Sequence, residues 1–369
     1  MLRAVLLACL ALIAYAQAGY GVLLALLRRV LAVEPVRRAP VEPHVSLVVA
    51  AHDEAAVVEA KVANALALDW PRERLQIIVA SDGSTDDTVT LARAAGADLV
   101  LDLPRGGKIR AQDAAVRAAT GEIVAFSDAN ALWEPQALRE LVTVFADDAV
   151  AYACGQVAFV NDTGTNQEGV YWRYEMWLRA MESDLHSVTG GNGAIYAVRR
   201  ADYIEVDPIM GHDLSFPFNL VKRGRRAVYV PQARATEKMV PSIEGEFARK
   251  RRMMRHGWPI VVRGGLADPR GYPPRYLLFI ASHRVLRYLT PFLHLVAFAA
   301  TLAAWRRHRL LLAAQLGLLA AAAAGGRLRA RPLLIARYYV LTTAALAGGL
   351  WDWLRHGTEA GWDAPEGTR

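Results

Sequence analysis

The chain has 369 residues, is 54% hydrophobic but only 8% aromatic, has 21% charged residues and carries a formal net charge of +7. That balance excludes a disordered chain, a fibrous repeat and a disulfide mini-protein, while the length allows one large or two modest domains. The apolar excess lies at the two ends, and the two cysteines, Cys9 and Cys154, fit reduced cytosolic chemistry, because Cys9 sits inside an apolar run where no partner is expected.

From Ala4 to Leu27 the chain is apolar and uncharged. At a rise of about 1.5 Å per residue this run can cross a hydrocarbon core of about 30 Å, so residues 1–33 read as a transmembrane anchor. Ala14-Tyr15-Ala16 and Ala16-Gln17-Ala18 also suit a cleavable signal peptide. The run continues past those sites, however, and Arg28, Arg29, Arg37 and Arg38 follow it, which places that flank in the cytoplasm.

Residues 44–268 have the composition of a soluble α/β domain. Val45–Ala50 and Gln76–Ala80 are β-branched runs ending in polar residues, the pattern of parallel strands buried on both faces. Glu54–Leu68 has helical spacing, and Ser84-Thr85-Asp86-Asp87 offers capping chemistry for a helix over Thr85–Ala95. Leu99–Leu101 reads as a strand, Gly107–Ala119 as a helix and Glu122–Phe126 as a fourth strand. This alternation implies a doubly wound sheet with its ligand at the carboxyl ends of the strands. Trp172, Tyr174 and Trp177 share a helical segment and read as packing, and Cys154 reads as buried.

Toward the C-terminus, residues 272–290 mix apolar side chains with Arg275, Arg284 and Arg287, which suits an amphipathic helix on the cytoplasmic surface. Residues 291–355 hold three apolar stretches, Pro291–Trp305, Leu310–Ala324 and Pro332–Trp351, read as two or three transmembrane helices, and residues 356–369 form a tail. The basic charge gathers where apolar segments meet water, a distribution that disfavours nucleic acid and favours anionic lipid.

The expected strand ends carry His52-Asp53-Glu54, Ser81-Asp82-Gly83-Ser84 and Ser127-Asp128-Ala129-Asn130. Carboxylates converging on one crevice repel unless a cation or a donor-rich ligand joins them, and a divalent metal with a nucleotide would do both. Asp128 and Asn130 are hard oxygen donors that could share one Mg2+ or Mn2+ with a diphosphate. The alternative for this pair is a turn in which Asn caps the next helix.

The series VSLVVAAHDE, IIVASDGSTDDT and GGKIRAQDAAVRAATGEIVAFSDAN, continued by GGNGAIYAVRR, GHDLSFPFNL and RKRRMMRHGW, resembles the family-2 glycosyltransferases, which include cellulose, chitin and hyaluronan synthases. The resemblance implies a GT-A-like doubly wound mixed sheet between N- and C-terminal transmembrane helices. It also implies a nucleotide-sugar site. Ala50, Asp53 and Glu54 match the pocket for base and ribose, where Asn more often stands at the position of Asp53. Asp82 matches the uracil and ribose contact, and Lys108 the basic residue that meets the nucleotide. Asp128-Ala129-Asn130 stands in place of the metal-binding Asp-x-Asp. Asp213 matches the general base for the acceptor hydroxyl, and His212 replaces its usual acidic neighbour. Gly191 and Asn192 resemble the acceptor-side turn. Arg251, Arg252 and Trp258 resemble the Gln-x-x-Arg-Trp element that meets diphosphate and acceptor, although the Gln is absent and the Arg-to-Trp spacing is longer.

The implied protein is a metal-dependent inverting transferase with its catalytic domain on the cytoplasmic side of a bacterial inner membrane. It would move a sugar from a UDP-sugar to a lipid-linked or polysaccharide acceptor, in cell-envelope synthesis. The alternatives are a processive polysaccharide synthase, a membrane nucleotidyltransferase and a scaffold that kept the fold without activity.

Overall fold

The computed structural model describes residues 1–33, 35–160, 169–238, 243–328 and 330–361, so part of the tail expected at 356–369 lies outside the described residues. The four expected strands form as β1 (Val45–Ala51), β2 (Leu75–Asp82), β3 (Leu99–Leu103) and β4 (Ile123–Asp128), all mutually parallel. Four more follow: β5 (Leu132–Trp133), β6 (Val150–Val160), β7 (Tyr196–Arg199) and β8 (Arg226–Lys238). Together they make an eight-stranded mixed sheet in the order β3-β2-β1-β4-β7-β6-β8-β5. β7 joins β4 and β6 antiparallel, while β6 and β8 run parallel.

The β-branched runs form central strands because both sheet faces are covered. Leu47, Ile77 and Ala125 pack on one face with Trp133 and Leu141, and their neighbours Val48, Ile78 and Phe126 pack on the other with Tyr196 and Phe216. Successive side chains on a strand point to opposite faces, so two cores need apolar residues at consecutive positions.

The helices are α1 (Leu2–Val30), α2 (Val58–Leu66), α3 (Thr88–Ala94), α4 (Lys108–Ala118), α5 (Ala137–Thr143), α6 (Val170–Leu185), α7 (His212–Lys222), α8 (Ile243–Val262), α9 (Pro274–Ala303), α10 (Arg309–Ala324) and α11 (Arg331–His356). α3 starts later than expected: the Asp86 carboxylate accepts from the Thr88 N–H at 3.0 Å and sets the first turn there. α2 also starts late, because Asp53 has φ +50° and the Glu54 N–H is held by the Thr88 hydroxyl at 2.8 Å.

α1, α9 and α11 are long and apolar enough to cross a membrane, and α10 is a shorter apolar helix. Cys9 of α1 packs with Ala297 and Ala300 of α9, and Cys154 is also free and buried. The expected surface helix over 272–290 is continuous with the apolar stretch that follows it, in the single helix α9. Its arginines turn inward: Arg287 pairs with Glu175, and the Arg284 Nε donates to the Thr189 hydroxyl at 3.0 Å. α1 and α9 each contain a π turn, Tyr15–Gly19 and Ile280–Val285.

Candidate active site

The register of the parallel strands brings the acidic ends together: Ala50 is paired with Ala80 and with Asp128, and Ala51 with Ser81. The Asp82 carboxylate is 3% exposed and accepts from the N–H groups of Gly106, at 2.6 Å, and Gly107, at 2.9 Å, and from Arg105 at 3.1 Å. Asp82 thus shapes the Arg105–Lys108 loop. Gly107 has φ +95°, a conformation glycine adopts freely and other residues resist. Asp53 accepts from the Thr85 N–H at 2.7 Å, and that bond holds its carboxyl below the usual range. The Glu54 backbone serves the Thr88 bond already described.

Lys108, at the start of α4, forms an ion pair with Asp128. Burial works against its charge, but Asp128 overrides that and holds the ammonium above its ordinary range. A Cβ on Gly193 would lie 3.7 Å from Lys108 Nζ and 4.0 Å from Asp128 Oδ2, so the glycine turn closes over this pair. Asp128 and the half-buried Asn130 supply a carboxylate and an amide oxygen from one turn. Among the described residues no group of three His, Cys, Asp or Glu side chains could hold a metal. Two oxygen donors nonetheless fit a Mg2+-like cation whose remaining ligands come from substrate phosphates and water.

Asp213 stands in the first turn of α7, and its main-chain carbonyl accepts from the Gly191 N–H at 2.6 Å. Burial raises its pKa, with Lys108 and Arg284 pulling the other way. A carboxylate poised above its usual range is a stronger base, which general-base chemistry requires. His212 is buried between Tyr196, whose hydroxyl lies 2.9 Å from Nδ1, and Phe216, whose ring stacks at 4.1 Å. Burial and then the Lys108 charge lower its pKa to about 3, so it is neutral.

The turn at Gly191 and Asn192, expected on the acceptor side, is tied into the fold. Arg179 donates to the Gly191 carbonyl at 3.1 Å, and the Asn192 amide donates to the Gly155 carbonyl at 2.5 Å. A Cβ on Gly191 would overlap the Tyr152 hydroxyl.

The α8 residues fall elsewhere. Arg251 makes a bidentate pair with Asp352 of α11, both bonds 2.7 Å. Trp258 is 6% exposed, packs on Tyr288 and Phe292, and donates to the Leu346 carbonyl at 2.8 Å. Both hold α8 against α11, where Gly349 allows close approach: a Cβ there would lie 2.5 Å from Met254 Cβ. The structure does not bring Arg251 or Trp258 to the crevice. Arg252 is half-buried one position on, and its charge lowers the pKa of His256, for which burial is the larger cause.

Three features have no sequence signal. Lys61 of α2 is fully buried beneath the Asp128 turn; it donates to the Ala131 carbonyl at 2.6 Å, and burial lowers its pKa to about 7. Glu237 at the end of β8 has its pKa pushed up to about 7 by burial and then by Asp128, with Lys108 and Arg249 opposing. Arg249, which pairs with Glu246 at 2.7 Å, is thus an α8 cation whose charge bears on Glu237. Finally, the end of the described chain crosses the site: a Cβ on Gly107 would overlap the Ala360 carbonyl.

The parallel half of the sheet thus holds a carboxylate and a cation at its switch point, facing a second carboxylate on a helix start, and the comparisons with known proteins place the chain among the glycosyltransferases. Residues 46–206 match Glycosyl transferase family 2, so this stretch of the chain is a family 2 glycosyltransferase domain, with the GT-A fold. The chain is 27% identical over 231 residues to an N-acetylglucosaminyltransferase of Mesorhizobium japonicum, covering 56% of this chain and 54% of that protein. It is 30% identical over 170 residues to a beta-monoglucosyldiacylglycerol synthase of Synechocystis, covering 42% of this chain and 33% of that protein. It thus spans about a third to a half of these relatives' length. A mannosyltransferase from Pyrobaculum calidifontis, solved with GDP-Man and Mn2+, superimposes with a TM-score of 0.76 at 25% identity, over 96% of this chain and 99% of that one.

Proposed function

We propose that the protein is a membrane-bound inverting glycosyltransferase that moves a sugar from a nucleoside-diphosphate donor, a UDP-sugar, to a lipid-linked or polysaccharide acceptor at the cytoplasmic face. The observation that carries this reading is the meeting of Asp128 and Lys108 at the strand ends with Asp213 at the start of α7. The neighbouring mannosyltransferase's complex with GDP-Man and Mn2+ supports the donor class and the divalent metal.

Asp213 would take the proton of the acceptor hydroxyl as its oxygen bonds to the anomeric carbon. The bond from that carbon to the diphosphate breaks, and the diphosphate leaves with the electron pair. Lys108, close to Asp128, places a positive charge where the leaving diphosphate gathers negative charge. A divalent cation held by Asp128 and Asn130 would add Lewis-acid stabilisation of the same group. Ala50, Asp53, Glu54 and Asp82 would frame base and ribose. Asp82 and Asp53 do so through the loops they hold, because their carboxylates are bonded within the protein. Gly191 and Asn192 would shape the acceptor side.

α1, α9 and α11 favour an acceptor that reaches the site from the bilayer, and the Synechocystis relative, named for a glycosyldiacylglycerol product, supports a lipid. The test is to incubate membranes holding the full chain with radiolabelled UDP- and GDP-sugars and Mn2+. One discrete organic-soluble product is expected. A ladder of lengthening products would establish chain synthesis instead, and no nucleotide release from any donor would refute the reading.

A further inference from the structure

Outside the crevice, one heavily bonded ionisable group is buried where the membrane helices meet the catalytic domain. Glu182 of α6 is 1% exposed. Its Oε1 accepts from the Tyr20 hydroxyl of α1 at 2.7 Å and lies 2.6 Å from Nδ1 of His283 in the π turn of α9. Its Oε2 accepts from the N–H and hydroxyl of Thr189 at 3.2 and 3.0 Å. One carboxylate therefore joins two membrane helices to the residue that begins the acceptor-side turn.

The turn itself passes the constraint on. Arg284 of α9 donates to the Thr189 hydroxyl and lies against Gly190 so closely that a Cβ there would overlap its guanidinium. One residue further, the Gly191 N–H holds the Asp213 carbonyl at 2.6 Å. From Tyr20 in the first apolar helix to the main chain of the proposed base, every link is a hydrogen bond or a peptide.

Apolar packing alone would dock these helices. Replacing buried charged groups by hydrophobic ones of similar volume is often neutral or stabilising, so a buried charge is weakly explained by stability. Hydrogen bonds differ from apolar contacts in fixing direction and register. The two π turns meet at this point: the Tyr15 and Ser282 hydroxyls lie 2.8 Å apart. Each π turn inserts a residue and so rotates the side chains beyond it, and such turns are frequent at functional sites. Gly21 completes the seating of α1 on α6, since a Cβ there would lie 2.8 Å from both Trp177 and the Tyr174 hydroxyl.

We propose that Glu182 is a positioning residue that couples the seating of α1 and α9 to the acceptor side of the active site, by holding the Thr189–Gly191 turn on which the Asp213 main chain hangs. This rests on the reading of Asp213 as the base. It gives the membrane helices a role in the reaction beyond anchorage: the acceptor half of the site is assembled only when they are seated.

The experiment compares full-length wild type with Glu182→Gln and the milder Tyr20→Phe, which removes one hydroxyl from a helix outside the catalytic domain. All three are reconstituted in vesicles of the expression host's total lipid. Hydrogen exchange of the Gly191 amide is expected to speed up about tenfold or more in Glu182→Gln, and to a smaller degree in Tyr20→Phe, as for loss of one buried charged hydrogen bond. Binding of UDP with Mn2+ should stay within about twofold, while kcat for transfer from the radiolabelled donor to vesicle lipid falls by about tenfold in Glu182→Gln. Unchanged Gly191 exchange in both variants overturns the proposal, as does a loss of UDP binding parallel to the loss of kcat. Absence of transfer by the wild type would instead count against the proposed function, and the exchange measurement would still decide the coupling.

Discussion

Lys61→Met tests the electrostatics beneath the active-site turn. In the folded chain this fully buried lysine titrates at about 7, against 10.5 for a free one. Below pH 7 both states hold the proton and the folded state bears the full penalty of burying it. Between pH 7 and the unfolded value the folded lysine is neutral while the unfolded one is charged, so the unfolded state binds more protons and stability rises with pH. The penalty is roughly 4 kcal/mol at pH 7 and falls by roughly 2 kcal/mol by pH 9. Methionine removes the penalty but leaves the Ala131 carbonyl without its donor, which costs about 1–3 kcal/mol. The variant is therefore expected to be more stable than wild type at pH 7, with the advantage shrinking or reversing by pH 9. For a domain of this size roughly 2 kcal/mol corresponds to about 4–8 °C in Tm. Thermal melts of the purified protein in one detergent, at half-unit steps from pH 7 to 9, read this directly. A Tm difference between variant and wild type that stays constant over that range would refute the reasoning.

Asp213→Asn keeps the shape of the site and removes the proposed base. Transfer is expected to fall about 10²- to 10⁴-fold with UDP affinity within about twofold, measured by product formation and by titration with UDP and Mn2+. Because burial raises the Asp213 pKa, wild-type kcat/KM should be constant at alkaline pH and decline as pH is lowered through a value above the usual carboxylate range, a limb that a pH profile would locate. Gly107→Ala forces a φ of +95° on a residue with a Cβ and presses on the Ala360 carbonyl, so UDP affinity should drop by about tenfold or more in a binding titration. Arg251→Ala removes a half-exposed pair with Asp352 outside the crevice; Tm should fall by only a few degrees, and the KM for the donor should not change.

The parallel half of the sheet was legible because a strand buried on both faces must be apolar at consecutive positions, and Val45–Ala50 and Gln76–Ala80 are. Their ends were legible for the same reason, since polar residues follow abruptly. The other half carries no such mark: Tyr196–Arg199 is short, and β8 mixes buried with exposed positions. At the C-terminal side, the charges of Arg284 and Arg287 separated one helix into a surface piece and a spanning piece. In the fold those charges find Thr189 and Glu175, about a hundred residues earlier in the chain, and a charge with a buried partner does not mark a boundary with water. Lys61 and Glu237 were illegible for a related reason. Neither has a spacing relation to the Asp128 turn: β8 comes near it by pairing with β5, which follows that turn, and α2 by the Lys61 bond to the Ala131 carbonyl. Arg251 and Trp258 were legible as a motif but not in role, because α11 takes both of them.

Of the departures from the family pattern, two lower the negative charge of the site, while Asp53, where Asn is more usual, adds to it. Asn130 stands where the second metal-binding carboxylate is usual, and neutral His212 stands where an acid precedes the base. The raised pKa of Asp213 owes most to burial, with Asp128 the last and smallest of the causes. The positive side of the crevice is restrained to match: Lys61 is held near half-charge at neutral pH, and Lys108 is matched by Asp128. Glu237 returns one carboxylate, from a distant strand, in a form that is itself only half-ionised near pH 7. With Lys108 matched by Asp128, a bound diphosphate and its cation would be the largest charges in the site. In the proposed reaction the electrostatic gain would then fall on the leaving group, where transition-state stabilisation is most effective.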